Sequence, residues 1–210
     1  MTQFRAWPKT PRWNRTIVVT EKIDGTNACV IVTPNEGNCA IKTSDLVDYV
    51  TLEDQGYWVQ AQSRKRLITV GDDNHGFAQW VEKNSVALVE ILGPGYHYGE
   101  WWGQGIQRRY GMDHKRFSLF NVGRWNRDVL SCSVQGLDVV PTLFHGTLDH
   151  QELVDVEFDL REQGSLAAEQ AGGGVGFPAE GYMIWHSASR QIYKVLLEGD
   201  DISKTEAGVG

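Results

Sequence analysis

Short apolar runs separated by glycine, proline and acidic breaks set the rhythm of this chain. Thr16-Ile17-Val18-Val19 opens a β-branched run that predicts a strand over 16–22, and Ala28-Cys29-Val30-Ile31-Val32 predicts another over 28–33. Asp24-Gly25 stands between them, and Asp-Gly flanked by such runs predicts a hairpin. Beyond the turn at 34–38, Cys39-Ala40-Ile41-Lys42-Thr43 predicts a short strand, the polar stretch 44–56 a loop, and Tyr57-Trp58-Val59-Gln60-Ala61 a strand. Asp72-Asp73-Asn74 can cap a helix, and Phe77, Trp80 and Val81 recur at helical spacing, predicting a helix over 76–84. The unbroken run Val86-Ala87-Leu88-Val89-Glu90-Ile91 reads as a buried strand ended by Gly93-Pro94-Gly95. Further strands are predicted over 117–122 and, more weakly, 129–134, with one or two helices within 149–171. Tyr182-Met183-Ile184-Trp185 and Gln191-Ile192-Tyr193-Lys194-Val195-Leu196 predict a final antiparallel hairpin. Residues 1–15, rich in Pro, Trp and Arg, read as an irregular arm, and the polar tail after Glu198 as a frayed end. The pattern predicts an α+β fold of mostly antiparallel strands with two to four helices, in one domain spanning 1–210.

Composition narrows the class. Eight Trp, seven Tyr and seven Phe in 210 residues supply a substantial core. No apolar run reaches membrane-span length and the N-terminus lacks a signal-peptide core, so a cytoplasmic setting is expected, without a membrane. Cys29, Cys39 and Cys132 are odd in number and far apart, which argues for reduced structural cysteines over a zinc site. The net charge of −7 argues against a generally basic nucleic-acid-coating protein. Basic clusters at Arg64-Lys65-Arg66, Arg108-Arg109 and Lys115-Arg116 still allow a local phosphate-binding groove, or are solvated turns.

Candidate chemistry centres on Lys22, at a strand end beside an acid and a tight turn. A lysine amine becomes a nucleophile when a neighbour removes its proton, and a lysine on a hairpin rim can equally be solvated. Glu100 sits among glycines and aromatics in Gly99-Glu100-Trp101-Trp102-Gly103, where a carboxylate can accept a ribose hydroxyl or serve a turn.

Glu21-Lys22-Ile23-Asp24-Gly25-Thr26-Asn27 resembles motif I of the covalent nucleotidyltransferases, which comprise DNA ligases, RNA ligases and mRNA capping enzymes, and is most similar to the RNA ligase branch. Gly99-Glu100-Trp101-Trp102-Gly103 with Gly105-Ile106-Gln107 resembles motif III, Phe117-Ser118-Leu119-Phe120 motif IIIa, Ala179-Glu180-Gly181-Tyr182-Met183-Ile184 motif IV, and Ile192-Tyr193-Lys194-Val195-Leu196 motif V. Gln62-Ser63-Arg64 resembles the Ser-Arg segment that follows motif I. The ordered set extends from residue 20 to residue 197 and is similar to the phage double-strand RNA ligase type.

The resemblance implies a nucleotidyltransferase (ATP-grasp-like ligase) domain, two antiparallel sheets around a nucleotide cleft. It implies catalytic roles for Lys22, Lys194 and Glu180, with Glu180 also supporting Mg²⁺ or Mn²⁺. Nucleotide contacts are implied for Glu21, Ile23, Asn27, Arg64, Glu100, Phe120 and Lys194. Phe120 would stack on the base, Glu100 would hold the ribose and Lys194 the α-phosphate. The cofactors would be ATP and a divalent ion, the partners RNA ends, and no obligate protein partner is implied. Lys22 would form lysyl-AMP, and the enzyme would join 5′-phosphate and 3′-hydroxyl ends in RNA repair. Three departures stand out: Leu196 replaces the usual second motif V lysine, Asn121 replaces the usual aspartate after motif IIIa, and no C-terminal OB or helical domain is expected. A minimal DNA ligase, a capping guanylyltransferase and a binding module that no longer seals remain as alternatives.

Overall fold

The computed structural model describes residues 3–37, 42–130 and 134–200. The first half of the fold contains β1 (Thr16–Lys22), β2 (Thr26–Pro34), β3 (Asp48–Leu52), β4 (Gln55–Ser63), β5 (Leu67–Ile68) and helix α1 (Phe77–Leu92). There follow β6 (Gly95–Gly103), β7 (Lys115–Leu119), the short α2 (Arg127–Leu130), β8 (Leu137–Val139) and β9 (Thr142–Thr147). Helices α3 (His150–Glu162) and α4 (Leu166–Gln170) lead to the closing strands β10 (Gly181–His186) and β11 (Gln191–Leu196). One sheet runs β11-β10-β1-β9; the other runs β3-β4-β2-β6-β7-β8, with β5 added alongside β4. All pairs are antiparallel except β7 with β8, whose connection passes through α2. The α+β class and the two-sheet architecture expected from the sequence are present.

Asp24-Gly25 does not close a hairpin. β1 is paired on both sides by β9 and β10, and β2 on both sides by β4 and β6, so the turn passes the chain from one sheet to the other. Close packing holds it there. A Cβ on Gly25 would lie 2.6 Å from the Trp101 carbonyl oxygen and 2.9 Å from Cγ of Glu100, so no side chain fits.

Three other expectations change. Residues 44–56 contain β3 and a two-residue turn in which Glu53 (φ 47°) and Asp54 (φ 67°) take left-handed conformations, pairing Leu52 with Gln55. The run Val86–Ile91 belongs to α1: Phe77, Ala78, Val81, Ser85, Leu88, Val89 and Leu92 are buried, a helical stripe that leaves Val86 exposed. Asp73 caps this helix, accepting the amides of Ala78 (2.8 Å) and Gln79 (3.0 Å). The strand expected over 129–134 begins instead in α2, while residues 131–133, like 39–41 of the strand expected at 39–43, lie outside the described residues.

Three clusters of core follow. α1 covers one face of the larger sheet through Phe77, Trp101 and Phe117. Val156 and Leu160 of α3 pack on Ile17, Val19 and Tyr182, which face inward from the smaller sheet. Between the sheets, Ile23, Trp102 and Tyr110 pack with Ala167 and Ala168 of α4.

Candidate active site

Lys22 is the last residue of β1, where the smaller sheet meets the Asp24-Gly25 crossing. Gly181 lies opposite both Lys22 and Leu196, and Met183 lies opposite both Thr20 and Lys194. Directly paired residues share a face, so Lys22, Leu196, Thr20 and Lys194 project from the same side of the sheet. The other side, carrying Ile17, Val19 and Tyr182, is core. Lys194 is exposed, one row further along the strands than Lys22.

The Lys22 ammonium is ion-paired to the carboxylate of Glu180, the residue that precedes β10. Glu100 reaches the same place from β6 of the other sheet. Burial pushes its carboxyl up to about 7, and the nearby Glu180 and Asp24 carboxylates add to that push; the Lys22 cation and the Gly25 amide oppose it. Lys22, Glu180, Glu100 and the Gly25 backbone therefore form one coupled cluster at the junction of the sheets.

The flanking positions sort by strand direction. Asn27 lies directly opposite Glu100 and shares its face. The β2–β4 ladder ends at Ala28 with Ser63, so exposed Arg64 stands one step beyond, at the level of Asn27. Phe120, just past β7, is 41% exposed and donates its amide to the Tyr98 carbonyl at 3.0 Å, continuing the face of Ser118 and Glu100. Glu21 and Ile23 behave differently. The Glu21 side chain points away from Lys22 into the protein, 1% exposed, where it accepts the Ser165 hydroxyl and the Ala167 amide (2.7 Å). Burial nevertheless raises its carboxyl above the usual range. Ile23 is core against Trp102 and Tyr110. Any nucleotide contact by these two residues falls to their main chain.

Several residues that hold the site went unmarked in the sequence. The Tyr110 hydroxyl accepts the Asp24 amide at 2.7 Å, its ring meeting Trp102 edge-on. Arg108 donates to the Asp24 carboxylate at 3.2 Å and to the carbonyls of Pro178 and Ala179 at 3.4 Å, tying the crossing to the start of β10. The basic cluster around Arg108 is visible in the sequence; the left-handed run that aims it, Gln107, Arg109 and Tyr110, lies between Gly105 and Gly111, which take the same conformation, and is itself made of residues that seldom adopt it. Of the other basic clusters, Arg66 pairs with Asp72 and Arg116 with Asp138. A cavity of about 340 Å³ between Trp125, Arg127, Val140 and Gln170 contains none of the expected site residues.

The RNA ligase family model matches residues 15–196, nearly the whole chain. The chain belongs to the RNA ligase family. This family member is similar in fold to solved structures of Naegleria gruberi RNA ligase. A variant described with ATP and Mn has a TM-score of 0.53 at 15% identity, covering 87% of this chain and 49% of that one. A variant with AMP and Mn gives a TM-score of 0.51 at 15% identity over 88% and 50% of the two chains. The protein with PPi gives 0.52 at 16% identity over 87% and 50%. The family member thus spans about half the length of these relatives. No curated protein sequence matches it. Among the described residues no helix is long and apolar enough to cross a membrane.

Proposed function

We propose that this member of the RNA ligase family is an ATP-dependent RNA ligase that works through lysyl-AMP on Lys22, in the manner of the phage double-strand type. The observation that carries the reading is the Lys22–Glu180 ion pair at the junction of the sheets, with Glu100 brought to it from the opposite sheet. Glu180 stands where it can take the proton that Lys22 must lose. The Lys22 nitrogen attacks the α-phosphorus of ATP; the P–N bond forms and the bond to the bridging oxygen breaks, releasing pyrophosphate. An oxygen of an RNA 5′-phosphate then attacks the same phosphorus, the P–N bond breaks, and Lys22 leaves as the amine. Finally an RNA 3′-hydroxyl attacks the 5′-phosphorus and AMP departs. Lys194, on the face that Lys22 shares, offsets charge developing on the α-phosphate. In this reading Glu100 holds the ribose, Phe120 stacks on the base, Arg64 contacts the sugar or the incoming strand, and Asn27, directly opposite Glu100, adds a nucleotide contact.

Among the described residues no three metal-ligating side chains converge. That fits a Mg²⁺ or Mn²⁺ site built from one carboxylate and substrate phosphates, the usual arrangement for Mg²⁺, with Glu180 as that carboxylate. Such an ion, when bound, would neutralise phosphate charge. Cytoplasmic location belongs to the same proposal.

Intact-mass measurement after incubation with ATP or GTP tests the reading. An AMP adduct that disappears in Lys22→Ala is expected, followed by sealing of a nicked RNA duplex. An adduct that survives in Lys22→Ala overturns the assignment of the nucleophile, and a GMP adduct in place of AMP overturns the ligase reading in favour of a capping enzyme.

A further inference from the structure

We infer that the N-terminal arm, residues 3–15, is a binding track for a single-stranded RNA segment leading to the active site; the second half of this inference rests on the proposed ligase function. The arm lies outside every helix and strand and is exposed throughout. It carries Arg5, Lys9, Arg12 and Arg15, and the chain has no carboxylate before Glu21, although acidic residues outnumber Lys and Arg overall, 27 to 20. Phe4 stands beside Arg5, and Trp7 and Trp13 stand between the cations; the three are respectively 93%, 89% and 71% exposed. Exposed aromatics scattered singly would call for no explanation. Alternation of cations with flat π-faces is instead the chemistry that holds a single nucleic-acid strand, with phosphates on the cations and bases stacked on the rings. Pro8 and Pro11 favour an extended backbone along which successive side chains can meet successive nucleotides.

The arm is rooted, not loose. The Trp13 carbonyl is 2.7 Å from Nε2 of His186, the Trp13 ring lies over the His186 ring with centroids 6.0 Å apart, and the Arg15 carbonyl accepts the Leu148 amide at 2.9 Å. Among the described residues Arg5, Lys9 and Arg12 make no ion pair, so their charge is available. From this root β1 runs directly to Lys22. At about 3.4 Å per residue its length is roughly 20 Å, on the order of six nucleotides at the axial spacing of a duplex strand. The sheet face along that path also fits: between the root and Lys22 lie the rows of Ile192 with Trp185, 63% and 41% exposed, and then of Lys194 with Met183.

The test uses the full chain and a 5′-phosphorylated single-stranded RNA oligonucleotide of mixed sequence, by fluorescence anisotropy across a salt series. Trp13 and Arg15 stay unchanged because they root the arm. The triple variant R5A/K9A/R12A is expected to bind at least tenfold more weakly at low salt. The slope of log K against log salt should become shallower by about 2, from roughly 0.7 per phosphate released. Trp7→Ala should lose roughly fivefold or more in affinity, the lower end of what one stacked base contributes, with the slope unchanged. Both variants should form the AMP adduct at the parental rate. Parental affinity and slope in the triple variant overturn the inference, and so does failure of the unmodified protein to bind the oligonucleotide; either result leaves the arm to an acidic protein surface. Arm-dependent RNA binding without any AMP adduct overturns the ligase reading while leaving the RNA track in place.

Discussion

Replacing Glu100 with glutamine removes a charge that the fold holds at a cost. The carboxyl titrates at about 7 in the folded protein, against 4.5 when unperturbed, mainly because it is buried. Below pH 4.5 both folded and unfolded chains carry the proton, so Glu100 does not alter stability with pH there. Between 4.5 and 7 the folded protein holds the proton more tightly than the unfolded one, so stability falls as pH rises. Above 7 the full difference is present. At roughly 1.4 kcal/mol for each pH unit separating the two values, it amounts to about 3 kcal/mol. Glu100→Gln preserves the shape and an oxygen for the Gly25 amide while removing the titration. Urea unfolding of both proteins from pH 4.5 to 8.5 is expected to show no pH-dependent gap at the acid end. The variant should gain up to about 3 kcal/mol at the alkaline end, which is roughly 6–12 °C in Tm for a chain of this size. Removing the Lys22 cation, which opposes the rise, should widen the gap. A difference between the two proteins that stays constant over the whole pH range would refute the reasoning, because glutamine and glutamate would then differ only in packing.

Glu180→Gln should slow adduct formation and lose its dependence on magnesium; near-parental rates across a magnesium titration would remove Glu180 from metal and proton chemistry. Lys194→Ala should lose adduct formation almost as fully as Lys22→Ala at an unchanged Tm, and rapid adenylation by it would refute a phosphate role. Because Leu196 shares its face with Lys22 and Lys194, Leu196→Lys should raise sealing of nicked RNA more than adenylation; vigorous sealing by the unmodified protein, unaltered by that change, would refute the idea that the missing lysine limits sealing. Tyr110→Phe leaves the Asp24 amide without its acceptor, costing about 1–3 kcal/mol. Amide exchange at Asp24 should accelerate, and unchanged protection there would show that Tyr110 does not secure the crossing.

Legibility followed the range of the interactions. The β10–β11 hairpin and the strands β1 and β2 could be read directly, since β-branched and aromatic runs suffice for a strand. Their partners could not: Asp24-Gly25 has the same local chemistry whether it joins two strands of one sheet or two sheets, and the decision lies with β4, β6, β9 and β10, which saturate the edges. The Val86–Ile91 run reads as a strand because a six-residue apolar window fits a buried helix and a buried strand equally; the stripe from Phe77 to Leu92 separates them only over the full length. The turn after β3 carries no local signal, because Glu53 and Asp54 occupy left-handed positions where asparagine and glycine usually mark a hairpin. At the site, motif residues marked the positions, but strand alternation decided their direction. It turns Glu21 inward to Ser165 while Lys22, its neighbour, faces Glu180.

The crossing after β1 also limits how the molecule can move. From Lys22 to Thr26 the chain advances four residues, a reach of at most about 14 Å even fully extended, and Tyr110 and Arg108 hold Asp24 in the middle of it. The two sheets are therefore joined like the boards of a book, with the spine at the lysine. On the proposed function, any widening of the gap for a nucleotide or an RNA end would swing the far margins, where Tyr96 and the β10–β11 loop lie, more than Lys22 beside the spine. If Lys22 is the nucleophile, its nitrogen would keep its aim through such a motion, and an extra residue inserted between Ile23 and Gly25 is expected to lower adduct formation more than Tm.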